Sequence, residues 1–152
     1  MRVKETLSAS LEDYLEAIYH IVAEKQAARA KDISVRLKVN SSSVTGALRA
    51  LTEKKLVNYA PYDVITLTPK GKKIAKDVVR RHQALSDFFV KVLSIDKKIA
   101  EEGACRMEHA LRREILDQLV KFVEFVDTCS EKDAMWLRGF GQSHRKPGTK
   151  QK

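Results

Sequence analysis

Residues 39–51 read Val-Asn-Ser-Ser-Ser-Val-Thr-Gly-Ala-Leu-Arg-Ala-Leu, and this stretch decides the fold. Its three serines offer capping hydroxyls, and Val44, Leu48 and Leu51 follow at the i, i+4, i+7 spacing of an amphipathic helix. The stretch therefore predicts a helix that begins at Ser41 and ends near Lys55.

The residues on either side complete a DNA-binding motif. Residues 38–40 predict a turn, and residues 30–37 predict a short helix whose apolar positions are Ile33, Val35 and Leu37. Two short helices joined by such a turn form a helix-turn-helix. A longer helix precedes them and ends near Lys25, with Ser8 or Ser10 as its cap and apolar residues at helical spacing: Leu11, Tyr14, Leu15, Ile18, Tyr19 and Val22.

A short hairpin is predicted after the helix-turn-helix. Residues 56–60 and 64–67 are rich in β-branched and aromatic side chains, and Pro61-Tyr62-Asp63 between them provides turn residues. Thr68-Pro69 then supplies a capping hydroxyl and a proline at the first position of a new helix, which runs to about Leu93. A helix-turn-helix followed by a hairpin is a winged helix.

The remaining sequence predicts an all-helical second domain. Asp96 caps a helix that begins near Lys97, and a further helix covers about residues 111–126. The apolar stripe of that last helix predicts core or dimer contact and contains Leu111, Ile115, Leu119, Phe122 and Val126. The predicted fold class is mainly α: a winged-helix DNA-binding domain with a small β-hairpin wing over 1–73, a helical metal-binding and dimerisation domain over 74–140, and a disordered basic tail over 141–152.

The composition of the chain indicates its cellular compartment and the class of molecule that it binds. The chain has 152 residues, 29 Lys and Arg against 20 Asp and Glu, and a net charge of +9. Residues 29–81 alone contain 13 basic and 4 acidic residues, which indicates a surface that meets a polyanion. No apolar stretch is long enough to span a membrane and no signal peptide is visible, so with only two cysteines the sequence predicts a cytoplasmic protein in a reducing compartment.

The predicted second helix of the helix-turn-helix is the part expected to enter the major groove of double-stranded DNA. The N-terminal residues of this helix are small, so the backbone can come close and hydroxyls can bond to bases or phosphates. The predicted DNA contacts are Ser41, Ser42, Ser43, Thr45 and Gly46, with Lys31 and Arg49 as phosphate contacts.

Two acidic regions carry side chains of metal-ligand type. Glu101, Cys105, Glu108 and His109 stand at i, i+4, i+7 and i+8, which places them on one side of one helix. A thiolate, a carboxylate and an imidazole so arranged can share a divalent cation. Asp13 and Glu16 at i, i+3 on the first helix, and His82 on the fourth, are further candidates.

Five motifs, in order along the chain, resemble those of the diphtheria toxin repressor and manganese transport regulator family of metal-dependent bacterial repressors. They are residues 12–19 (Glu-Asp-Tyr-Leu-Glu-Ala-Ile-Tyr), 39–45, 67–71 (Leu-Thr-Pro-Lys-Gly), 81–82 (Arg-His) and 104–109 (Ala-Cys-Arg-Met-Glu-His). The resemblance covers about residues 8–126. It implies a winged helix followed by a helical dimerisation domain, and a short form that lacks the SH3-like third domain of the longer members.

The resemblance also implies a hybrid metal site. Asp13 and Glu16 match ligands of the manganese branch, Cys105 matches the iron branch, and His82, Glu108 and His109 match both. Glu101 stands where the iron branch has a histidine, and Ser86 where the family usually has a carboxylate of a second site, so the number of sites stays open. The implied metal is Fe²⁺ or Mn²⁺, with Zn²⁺, Co²⁺ or Ni²⁺ able to bind in vitro.

Residues and resemblance together predict a switch. A divalent metal held by Asp13 and by the helix with Cys105, Glu108 and His109 selects the form of a homodimer that binds a palindromic operator and represses metal-uptake genes. The alternative is a winged-helix regulator that responds to a small organic ligand or a partner and has no metal switch. An enzyme is not expected, because the sequence contains no phosphate loop, Gly-x-Ser-x-Gly or His-Glu-x-x-His motif.

Overall fold

Six α-helices and one two-stranded hairpin follow one another in the part of the chain that the structure describes. The computed structural model describes residues 7–60, 62–129, 135–136 and 139–140. Its elements are α1 (Ala9–Lys25), α2 (Ala30–Leu37), α3 (Ser41–Glu53), β1 (Val57–Asn58), β2 (Thr66–Leu67), α4 (Pro69–Asp87), α5 (Lys97–Ala110) and α6 (Arg113–Thr128). The chain divides into two compact units between Val79 and Arg80.

The first unit contains the predicted helix-turn-helix. Helix α1 begins behind Ser8, whose hydroxyl oxygen accepts from Leu11 N at 3.3 Å. Helix α2 ends at Leu37, as predicted, because Lys38 adopts a left-handed conformation with φ 55°. Helix α3 begins at Ser41, but the predicted serine cap is wrong. The side chain of Asn40 caps the helix instead, and its Oδ1 accepts from Ser43 N at 2.8 Å.

The hairpin is shorter than predicted and is joined by a third segment. Val57 pairs with Leu67 and Asn58 with Thr66, so the paired strands have only two residues each. Ile65 pairs with Ala28 instead, through Ile65 N to Ala28 O at 2.7 Å and Ala28 N to Ile65 O at 3.0 Å. The connection before α2 is therefore bound to the base of the hairpin.

One apolar core supports these elements. Side chains of α1, α2, α3 and the hairpin are fully buried in it, the largest being Leu15, Ile18, Ile33, Leu48, Leu51, Leu56 and Ile65. Val35, predicted as an apolar position of α2, is 69% exposed, because the position two residues after the buried Ile33 lies on the opposite side of an α-helix.

Helix α4 begins where Thr68-Pro69 predicts. Thr68 Oγ1 accepts from Gly71 N at 3.0 Å and donates to Lys55 O at 2.7 Å, so the cap also binds the end of the helix-turn-helix segment. The predicted single α-helix to Leu93 differs in its last turn, since Phe88–Val92 is π-helical and Leu93 N donates to Phe88 O at 3.2 Å.

The second unit is built from the end of α4, α5 and α6. Asp96 caps α5 as predicted, with Oδ1 accepting from Lys98 N at 2.9 Å. Leu85, Ala104 and Leu116 form its buried centre. Ile115 of the stripe predicted as core or dimer contact is exposed, and the buried residues of α6 are Leu116, Val120 and Val123, which lie outside that stripe.

The fold class is confirmed as mainly α with a small antiparallel hairpin. Within the residues just enumerated, no helix combines the length and the apolar character that crossing a membrane requires. The prediction of a disordered tail over 141–152 lies outside the described residues.

Candidate metal centre

Helix α5 carries four of the predicted ligands, and these four side chains differ in how deeply they are buried. Ala100, Ala104 and Glu108 recur every four residues and form the buried face of the helix. Glu108 is only 4% exposed, His109 is half-buried, and Cys105 is exposed. The side of the helix that was predicted to carry the ligands is thus not uniformly buried, because the Glu108 carboxylate is buried and the Cys105 thiol is exposed.

The buried Glu108 carboxylate meets a histidine from α4. His82 Nδ1 lies 3.0 Å from Glu108 Oε2, although 26 residues separate the two in sequence. A carboxylate buried to this degree is costly unless a cation or donors compensate its charge. The other imidazole beside this carboxylate is that of His109, whose Nε2 lies 3.3 Å from Glu108 Oε1.

A second carboxylate, that of Glu101, contacts the other ring nitrogen of His82. His82 Nε2 lies 2.9 Å from Glu101 Oε2, and buried Ser86 donates its hydroxyl to Glu101 Oε1 at 2.7 Å. These hydrogen bonds, that from His82 first, hold the pKa of Glu101 below its ordinary value. Each ring nitrogen of His82 therefore faces a carboxylate oxygen, and the tautomer decides which of the two nitrogens donates.

One observation shows that these residues are suited to bind a divalent metal. Glu108 Oε1 is buried and accepts no hydrogen bond within the described ranges, so one carboxylate oxygen has an open lone pair in a site flanked by imidazoles. Imidazole, carboxylate and thiol donors together are the set that Fe²⁺, Mn²⁺ and Zn²⁺ accept in differing proportions. His82, Glu108 and His109 are the side chains that the second unit offers to such an ion.

The two candidates on α1 belong to the first unit. Asp13 and Glu16 are both half-buried, next to the buried residues Tyr14 and Leu15. Glu16 Oε1 lies 3.6 Å from His20 Nε2, one helical turn away. Both carboxylates therefore sit at the edge of the first core.

The residues predicted to contact DNA share the exposed side of α3. Ser41, Ser42, Ser43, Gly46 and Arg49 are all exposed, and so is Lys31 on α2. Thr45 is half-buried, and its hydroxyl donates to Ser41 O at 3.0 Å, which leaves an oxygen lone pair for an outside donor. A Cβ at Gly46 would meet nothing within 4 Å, so this surface is open to a close approach.

Sequence reasoning missed the role of Ser86. The sequence marks this position only as the loss of a carboxylate, whereas in the structure the Ser86 hydroxyl donates to Glu101. The spacing of Ser86 and His82, one helical turn apart, was the available signal, but the partner Glu101 is on another helix.

Comparison with known proteins matches both parts of the chain to one family. A family model described as "Iron dependent repressor, N-terminal DNA binding domain" matches residues 6–65. Another, described as "Iron dependent repressor, metal binding and dimerisation domain", matches residues 68–137.

Individual proteins with similar sequences are also transcriptional regulators. An uncharacterised HTH-type transcriptional regulator of Methanocaldococcus jannaschii is 40% identical over 119 residues, which are 78% of this chain and 95% of that protein. The HTH-type transcriptional regulator MntR of Bacillus pumilus is 36% identical over 123 residues, or 81% and 85% of the two chains.

The fold of this chain is also similar to that of a solved structure. A manganese-dependent transcriptional repressor in complex with manganese superimposes with a TM-score of 0.66 at 27% identity, over 76% of this chain and 53% of the other. This chain thus spans about half the length of that solved protein. The resemblance inferred from the sequence is confirmed: the chain belongs to the iron-dependent repressor family of metal-dependent transcriptional regulators, which are not enzymes.

Proposed function

We propose that the chain is a cytoplasmic repressor that binds a palindromic operator as a homodimer when loaded with Fe²⁺ or Mn²⁺, and that it controls genes of metal uptake. The observation that carries the proposal is the buried Glu108 carboxylate between His82 and His109, with one oxygen that accepts no hydrogen bond from the described residues. Family membership supplies the DNA-binding and dimerisation parts of the proposal.

The proposed ligands are seven side chains with different tasks. Glu108 offers a fixed carboxylate oxygen, because its burial and its contact with His82 restrict its position. Glu101 orients the imidazole of His82 and is itself held by Ser86. The full proposed set is Asp13, Glu16, His82, Glu101, Cys105, Glu108 and His109.

A bound divalent ion would supply positive charge to this acidic cluster. Without it, the carboxylates of Glu101 and Glu108 depend on neighbouring imidazoles for compensation. An ion shifts a conformational equilibrium only to the extent that it binds one form more tightly than the other. A ligand set drawn from more than one helix gives it that preference, because the DNA-binding form is the one in which all ligands reach the ion.

The choice of metal depends on Cys105. A thiolate ligand favours Fe²⁺ over Mn²⁺, whereas the carboxylates of Asp13 and Glu16 favour Mn²⁺. The thiol of Cys105 is exposed and therefore accessible to an ion in solution. Replacement of Cys105 by alanine should weaken activation by Fe²⁺ more than activation by Mn²⁺.

Operator binding measured by fluorescence anisotropy tests the proposal. The wild type is titrated with duplex DNA from its own promoter region in Mn²⁺, in anaerobic Fe²⁺, in Zn²⁺ and in chelator. We expect metal to tighten binding about 10- to 100-fold, within the usual range of coupling between two sites. Glu108→Gln should remove most of this gain, since a neutral amide replaces the buried carboxylate.

Glu114→Gln is the matched control, because Glu114 is an exposed carboxylate at the start of α6. It should respond to metal as the wild type does, and calorimetry should show Mn²⁺ binding to it but not to Glu108→Gln. Equal DNA affinity of the wild type in metal and in chelator would contradict the proposal and favour a regulator that senses another ligand.

A further inference from the structure

Buried Ser86 begins a series of polar contacts that runs from α4 to α5 within the second unit. Ser86 is 2% exposed, and its hydroxyl donates to Glu101 Oε1 at 2.7 Å. The other oxygen of that carboxylate lies 2.9 Å from His82 Nε2, and His82 Nδ1 lies 3.0 Å from Glu108 Oε2. Four side chains are therefore linked in the order Ser86, Glu101, His82, Glu108.

The partner of the Ser86 hydroxyl is unusual for a serine inside a helix. Such a hydroxyl commonly bonds to a carbonyl of the preceding turn, as Thr52 does with Leu48 O at 2.7 Å. Ser86 donates instead to a carboxylate on another helix, and hydrogen bonds to a charged acceptor are stronger than those between neutral groups. The hydroxyl therefore fixes the position of the Glu101 side chain.

The contact between Glu101 and His82 decides which side of the imidazole faces the open oxygen. A carboxylate at one ring nitrogen favours the tautomer that carries its proton there, and histidines that bind metals are held in this way. Nε2 is then the donor to Glu101, and the lone pair of Nδ1 is directed towards Glu108. Glu108 Oε1 is the buried oxygen that accepts no hydrogen bond from the described residues. The donors for an ion are thus collected on the Glu108 side of the ring.

The opposite side of the ring is poorly suited to a second ion. Both oxygens of Glu101 are engaged there, one by Ser86 and the other by His82. Ser86 itself offers a neutral hydroxyl, whereas Fe²⁺ and Mn²⁺ are bound by carboxylate, imidazole and thiolate groups. A second ion at this position would disrupt these two contacts and would gain no charged ligand from Ser86.

We propose that each protomer binds one divalent ion, on the Glu108 side of His82, and that Ser86 is a positioning residue whose hydrogen bond takes the place of a second ion. Ser86 orients Glu101, and Glu101 orients His82, so the ion meets donors whose positions are already fixed. This inference rests on the proposed metal-dependent function and decides the number of ions, which the sequence leaves open.

Titration calorimetry with Mn²⁺ on the full-length protein tests the number of ions. The wild type should bind one ion per protomer. Ser86→Asp places a carboxylate beside that of Glu101, and adjacent carboxylates repel each other unless a cation lies between them. This variant should therefore bind two ions per protomer, and its melting temperature should fall in chelator and recover in Mn²⁺. Two ions in the wild type, or one in Ser86→Asp, would overturn the proposal.

Ser86→Ala tests the positioning role. The variant leaves Glu101 Oε1 without its donor, so the affinity for Mn²⁺ should fall about 10-fold, as expected when a group that orients a ligand is lost. Ser34→Ala is the matched control, because the Ser34 hydroxyl on α2 donates to Val39 O at 2.6 Å in the first unit. Both variants lose one hydrogen bond and should lose similar melting temperature in chelator, but only Ser86→Ala should lose affinity for Mn²⁺. Wild-type affinity in Ser86→Ala would overturn the positioning role.

Failure of this inference can be distinguished from failure of the proposed function. Metal-dependent operator binding by a wild type that holds two ions per protomer would overturn the inference and leave the proposed function intact. One bound ion per protomer without any effect on DNA affinity would overturn the proposed function and leave the inference intact. A wild type that binds no divalent ion would overturn both.

Discussion

Two glycines in this chain show that the same residue type has different effects in different surroundings. Gly46 in α3 and Gly71 in α4 both lie within helices, where glycine is unfavourable. A Cβ at Gly46 would enter open space, whereas one at Gly71 would overlap the carbonyl oxygen of Leu56. The first glycine has no packing reason to be there, so we assign its absent side chain to the approach of DNA.

Alanine at these two positions should therefore have opposite effects on stability. Gly46→Ala should raise the free energy of unfolding by about 1 kcal/mol, the difference in helix propensity, and weaken operator binding. Gly71→Ala should lower the free energy of unfolding by about 1 to 3 kcal/mol, because the backbone of Leu56 has to move. Urea unfolding of each variant measures both values. A gain in DNA affinity for Gly46→Ala would contradict its assignment to the DNA surface.

Helix ends show where elements are fixed by short-range chemistry. Asn40 and the three serines after it are all good capping residues, and the structure uses Asn40. Asn40→Ala should lower the free energy of unfolding by about 1 kcal/mol, while Ser41→Ala, one position further, should change it by less than about 0.5 kcal/mol. Thermal melting of the two variants side by side provides the measurement. Equal losses would show that the serine hydroxyl shares the capping role.

Elements with local signals could be predicted from the sequence, and those with distant partners could not. The bounds of α2 and the start of α4 follow from turn and cap residues next to them, so they were predicted correctly. Helix α6 has apolar residues on more than one side, and its packing against Leu85 and Ala104 decides that Leu116 is buried while the neighbouring Ile115 is exposed. The pairing of Ile65 with Ala28 likewise joins two positions that are 37 residues apart in sequence and that no local pattern relates.

The metal cluster follows the same rule. Helical spacing on α5 predicts that Glu108 and His109 are neighbours, and the structure agrees. The same spacing does not reveal that Glu108 is buried while Cys105 is exposed, because burial depends on which helices pack on either side. The contacts of His82 with Glu101 and Glu108 join α4 to α5 and needed the three-dimensional structure.

At the scale of the whole molecule, the two units differ in their exposed surfaces. Residues 29–81 hold the excess of basic charge, and all of them except Arg80 and Arg81 belong to the first unit. In the second unit, several large apolar side chains remain exposed on π-helical and α-helical segments: Val90, Ile99, Ile115 and Phe125. Exposed apolar residues on a family-defined dimerisation domain indicate the surface that a second copy covers.

Substitution of one exposed apolar residue in each unit should locate that surface. Phe125 on α6 is 62% exposed and Val35 on α2 is 69% exposed, so either can be replaced by glutamate without placing a charge in a core. Phe125→Glu should shift the protein from dimer to monomer at micromolar concentration, since two charges would have to be desolvated at a symmetric contact. Val35→Glu should leave the dimer intact. Sedimentation velocity over a range of protein concentrations distinguishes the two, and a dimer retained in Phe125→Glu but lost in Val35→Glu would place the dimer contact in the first unit.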